Sequence, residues 1–101
     1  MPTPPKGVQQ AAARAVRWIE EGRAGSGFTD VGRHRAHQLA RGEDVGAEDL
    51  RKMHAYFARH VVDRAAPGFR GNTAGFPSPG RVAWDAWGGD AGRRWADRLA
   101  G

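Results

Sequence analysis

Glu48-Asp49-Leu50-Arg51-Lys52-Met53-His54-Ala55-Tyr56-Phe57-Ala58-Arg59-His60-Val61-Val62 is the stretch on which the fold turns. Leu50, Met53, Phe57 and Val61 recur at helical spacing and form one apolar stripe. Glu48 and Asp49 stand in the first turn, where acids favour the positive end of a helix dipole. A core helix is predicted here. Val61-Val62 is the one β-branched doublet in the chain, and it lies inside this helix, so strand signals are nearly absent.

Working outward, every other periodic segment is also helical. Val8, Ala12, Ala15 and Ile19 recur over residues 7–21, with Ala11 and Trp18 widening the stripe and Gly22 placed to end it. After a Gly/Ser turn from Arg23 to Gly27, Thr29 or Asp30 caps a second helix running to Arg41 and stopping at Gly42. Beyond the core helix, Ala65 to Phe76 has no periodicity and reads as a long ordered Gly/Pro loop pinned by Phe69 and Phe76. Ser78 as N-cap with Pro79 behind it starts a short fourth helix from Gly80 to Trp87. Gly88-Gly89 closes it, and Asp90 caps a fifth helix reaching about Leu99.

The expected fold is therefore all-α: a single small domain of four to five helices over residues 7–101, with residues 1–6 as a flexible N-terminus. A chain of 101 residues is one domain by length. Without cysteine it has no disulfide, thiolate chemistry or Cys-based metal site. Met1-Pro2-Thr3-Pro4-Pro5-Lys6 has no apolar core for a signal peptide, and no apolar run is long enough to span a bilayer, which predicts a soluble, cytosolic protein with no membrane partner.

Sixteen Lys and Arg against eleven Asp and Glu give a net charge of +5, and all of the basic residues but Lys6 and Lys52 are arginine. Arginine's planar fork matches phosphate or carboxylate, so nucleic acid is the leading partner class. On helix two, Arg33, His37 and Arg41 line one edge with His34 beside them, and with Arg23 this strip is suited to following a phosphate backbone. Arg81, Arg93 and Arg94 from the tryptophan-rich end are expected to add contacts, with an exposed Trp stacking on bases if one is present. The simpler alternative is a solvated charged face for the strip and a small aromatic core for Trp84, Trp87 and Trp95.

Helices two and three have the outline of a helix-turn-helix, but Glu48 and Asp49 would face the polyanion at the N-terminus of the would-be recognition helix. Arg35 falls between Val31 and Leu39 on an apolar face, so it is expected as a structural ion pair with a carboxylate such as Asp63 or Asp90. His34, His37, His54 and His60 have no zinc-site spacing, and neither metal nor cofactor is assigned. His60, Asp63, Asp85, Asp90 and Arg81 could be assembled into an acid/base site, but no nucleophile elbow, phosphate loop or carboxylate pair supports one, so no catalytic residue is named.

Thr29-Asp30-Val31-Gly32 with Arg35-Ala36, Met53, Phe57-Ala58-Arg59-His60 with Asp63, Pro77-Ser78-Pro79-Gly80-Arg81, and Trp84 with Trp87-Gly88-Gly89-Asp90-Ala91-Gly92 and Trp95 occur in that order. From about Ala11 to Ala96 this pattern resembles a small module of tailed-bacteriophage and prophage proteins. The resemblance implies a phage or prophage setting, in the host cytoplasm or the virion, and no particular chemistry. The chain departs from the module at Val61, where a Glu is usual, and at Gly46, where a Ser or Thr is common; Gly is a slightly weaker cap. The expected function is a basic, phage-associated nucleic-acid-binding protein. The alternative is a virion assembly or adaptor protein docking another protein through an aromatic patch that includes Trp18, Tyr56 or Phe76.

Overall fold

The computed structural model describes residues 2–101. It is all-helical: α1 (Lys6–Glu20), α2 (Asp30–Ala40), α3 (Ala47–His60), a 3₁₀ turn (Val61–Ala65), α4 (Pro79–Ala86) and α5 (Gly89–Ala100). The capping residues do what their chemistry predicts. Thr29 Oγ1 accepts from the Gly32 N–H at 3.2 Å to open α2, and Ser78 Oγ accepts from the Arg81 N–H at 3.1 Å to open α4, with Pro79 at its first position.

Two boundaries differ from expectation. The core α-helix ends at His60, and Val61-Val62 falls in the 3₁₀ turn. Pro67 forces Ala66 into extended backbone (ψ 150°), so the helix has to unwind before it. Asp90 does not cap α5. Gly88 occupies the cap position at φ 111°, and Asp90 sits in the first turn, where its carboxylate accepts from the Trp84 indole N–H at 2.9 Å.

Residues 2–5 of the lead are seated on the link between α2 and α3. Val45 N–H donates to the Pro2 carbonyl at 2.8 Å, Thr3 Oγ1 donates to Asp44 at 2.8 Å, and Pro4 is buried. The flexible N-terminus anticipated from the prolines is thus tied down over these residues, and Met1 lies outside the described residues.

α1 packs against α2, α4 and α5, and α3 packs against α5. The core joins Val8, Ala12, Leu39, Met53, Phe57, Phe69, Trp84 and Trp95. Close passage of α1 over the α4–α5 turn needs glycine. A Cβ on Gly89, at φ 66°, would stand 2.9 Å from the Ala11 Cβ. The 66–78 loop is held by buried Phe69 and by Phe76, whose ring meets Trp18 edge-on at 5.5 Å. No helix among the described residues is long and apolar enough to cross a membrane.

Candidate anion-binding hollow and interhelical cleft

Most of the tryptophan payload is structural. Trp84 and Trp95 are buried in the core, Trp84 edge-on to Phe57 at 4.8 Å and to Phe69 at 5.6 Å. Neither offers a ring face to a base.

Arg35 is the strut its apolar surroundings require, but with a different partner. Its side chain is 6% exposed and its Nη2 lies 3.2 Å from Asp49, in the first turn of α3. Nη1 donates to Gln38, and the guanidinium carbon lies 5.3 Å from the centre of the Trp87 ring. Nε has no hydrogen-bond partner and is left against that aromatic surface. Asp63 instead meets His60 at 3.0 Å, and Asp90 holds Trp84. The Arg35 guanidinium beside Asp49 holds its carboxyl below the usual range, against some desolvation.

Arg81 is a second correction. Expected among phosphate contacts, it is turned inward: Nε is 3.2 Å from Asp85, Nη1 donates to the Phe69 carbonyl at 2.8 Å, and the guanidinium lies over Phe69 and Phe76. Asp85, at 1% exposure, is also held by Arg14 Nε at 2.8 Å. Burial nevertheless raises its pKa above the ordinary value, with the two arginines offsetting part of the effect. These two pairs tie α4 to α1 and to the long loop.

On α2, Arg33 and His34 are exposed, His37 is half-buried, and Arg41 shares its charge with Glu43 at 3.6 Å. Arg33 lies 5.8 Å over the Phe28 ring. The strip therefore has its free charge at the N-terminal end of the helix.

Arg93 and Arg94 converge with a residue the sequence did not single out. Arg64, from the 3₁₀ turn, lines one hollow of about 280 Å³ with Arg93, Arg94, Asp90 and Asp97. Both acids are engaged: Asp90 accepts from Trp84, and Asp97 faces His54 at 2.7 Å and Arg93 at 3.9 Å. Arg64 is anchored over the Trp84 ring at 5.9 Å, which fixes its head beside α5. Its position three residues past Val61 carried no signal, because it depends on where α3 unwinds.

A larger cavity of about 700 Å³ opens between α2 and α3. The 41–46 link and the Arg35–Asp49 pair join the two helices, and α4 with the α1–α2 turn supplies the third wall. Phe28, Val31 and Gly32 come from the α2 side, Ala55, Tyr56 and His60 from α3, and Ala83 and Trp87 from α4. Trp87 stacks on Tyr56 at 4.6 Å and Tyr56 on His60 at 4.5 Å, making one rigid aromatic wall. Burial above all, with nearby Asp63 and Asp85, pushes the Tyr56 hydroxyl pKa well above 10.0, so it stays a neutral donor. Lys52 and Arg59 stand at the rim. The helical repeat Lys52, Ala55, Tyr56, Arg59, His60, running from the edge of the core stripe to the face opposite it, was the available sequence signal for this face.

Of the residues of the hypothetical acid/base site, Arg81, Asp85 and Asp90 line one small hollow of about 160 Å³, where Asp85 is paired with Arg14 and Arg81 and Asp90 holds Trp84, while His60 and Asp63 pair with each other outside it. No group of three metal-ligating side chains occurs among the described residues. No family model, curated protein or solved structure matches the chain.

Proposed function

We propose that this protein binds nucleic acid through its phosphate backbone, in a phage or prophage setting, within the bacterial host cytoplasm or the virion. The observation that supports this is the convergence of Arg64, Arg93 and Arg94 on one hollow, on a chain of net charge +5. Three guanidiniums from two elements outnumber the two carboxylates, Asp90 and Asp97, that share the hollow, and they suit adjacent phosphates of one strand. Arg33 at the exposed end of the α2 strip is a further solvent-facing guanidinium. Such contacts position a polymer without reading its sequence.

For the adaptor alternative, of the rings expected in an aromatic patch Tyr56 is buried, while Trp18 and Phe76 are half-buried and pack edge-on against each other. The large exposed apolar side chains are Val31, Val62 and Leu99, one from each of three separate elements.

Fluorescence anisotropy of labelled single- and double-stranded DNA over a salt series tests the proposal. Engagement of three phosphates gives a slope of roughly −2 to −3 in log affinity against log salt. The double variant R64A/R94A should weaken binding and lower that slope by roughly 2. Absence of binding at micromolar protein in low salt would remove the nucleic-acid reading.

A further inference from the structure

The interhelical cleft and the arginine hollow share no lining residue. We propose that the cleft binds a small organic anion with a flat apolar body, a site separate from the arginine hollow and not dependent on nucleic-acid binding.

Three observations carry this. First, the cleft is walled on three sides, by α2, by α3 and by α4 with the α1–α2 turn, and its volume of about 700 Å³ matches that of small-molecule sites. Second, its walls are largely apolar, and Trp87, Tyr56 and His60 line it as one stack, so a ligand would meet a preformed surface. The ring faces of Tyr56 are taken by its two neighbours, so stacking of a strand's bases on Tyr56 is disfavoured. Third, the charge is one-sided. Lys52 and Arg59 stand at the mouth, and the lining includes no Asp or Glu among the described residues, on a protein that has eleven acids. Neither cation has an ion-pair partner among the described residues, so both are available to an anionic head.

The test uses two dyes with one skeleton. Anilinonaphthalene sulfonate carries the apolar body with a sulfonate, and N-phenylnaphthylamine is the same body without the charge. Titrated into the full chain, the sulfonate is expected to bind at one equivalent with a blue-shifted emission, about tenfold or more tighter than the neutral dye. K52E/R59E should lose that advantage while still binding the neutral dye, which also reports that the pocket is intact. A55W, at an exposed α3 position on the pocket wall, should fill the space and abolish both signals, with its helical circular dichroism unchanged. R64A/R94A should leave both dyes unaffected, so loss of the hollow and loss of the cleft are told apart. Equal affinity for the two dyes would overturn the anionic assignment. Binding that survives A55W, or no saturable binding of either dye, would overturn the site.

Discussion

Arg35 of α2 reaches Asp49 of α3 at 3.2 Å, with the arginine side chain 6% exposed and the aspartate 34% exposed. That asymmetry makes the two halves of the pair unequal. Removing Asp49 leaves a buried guanidinium with only Gln38 and an indole face, whereas removing Arg35 leaves a carboxylate that water can reach. D49A should therefore destabilise the fold by roughly 2 kcal/mol, below the full cost of breaking a buried pair because Asp49 is partly solvated. R35M, which fills the same space with apolar atoms, should cost less than D49A. Urea denaturation of the two variants checks the order, and a larger loss for R35M would mean the strut is not what holds α2 to α3.

Asp49 and Asp85 predict opposite effects of acid. The Asp49 pKa is lowered on folding, so the unfolded chain takes up its proton first as pH falls below the ordinary 3.8, and stability is lost from there down through the folded value. The Asp85 pKa is raised, so the folded chain binds its proton first, and its contribution to stability declines as pH rises from 3.8 through the folded value. Thermal melts between mildly acidic and strongly acidic pH should show a shallower acid loss in D49N and a steeper one in D85N. Parallel acid limbs in wild type and both variants would contradict the two assigned environments.

Gly89 and Gly22 both have positive φ, 66° and 79°, but only one is crowded. At Gly22 a Cβ meets nothing within 4 Å, so G22A carries the left-handed backbone cost alone, about 1 kcal/mol. At Gly89 the Cβ adds a clash with Ala11 at 2.9 Å and crowds Asp85 at 3.2 Å, so G89A should cost roughly 2–4 kcal/mol. Equal melting temperatures for the two variants would mean that α1 moves away from the α4–α5 turn at little cost.

Helix identity was legible because its signals are local: Thr29 and Ser78 cap the helices they precede, and Gly22 and Gly42 adopt positive φ where their helices end. Asp90 has the same cap-like sequence context, yet its carboxylate is taken by Trp84, and that contact exists only once α4 and α5 have folded together. Arg35 illustrates the same limit. Its place between Val31 and Leu39 demanded a partner, but the choice of Asp49 is a tertiary contact between α2 and α3, with Asp63 and Asp90 held by His60 and Trp84. Only the α3 wall of the cleft had a sequence counterpart, in the Lys52, Ala55, Tyr56, Arg59, His60 repeat, because a gap is defined by which helices fail to touch.

Arg81 and Arg94 separate structural from functional arginine. R81A removes an ion pair to buried Asp85, a hydrogen bond to the Phe69 carbonyl and contact with two rings. It should cost about 2 kcal/mol of stability by loosening the long loop from α4. Its effect on DNA affinity, measured where the variant is fully folded, should be small. Arg94 is exposed and has no ion-pair partner within the described residues, so R94A should leave stability within about 0.5 kcal/mol. The same change should weaken DNA binding several-fold and lower the salt slope by roughly 1. Paired urea and anisotropy measurements decide the matter: if R81A weakens binding as much as R94A while folded, the phosphate surface extends over the loop, and if R94A is silent in both, the arginine hollow is not the contact.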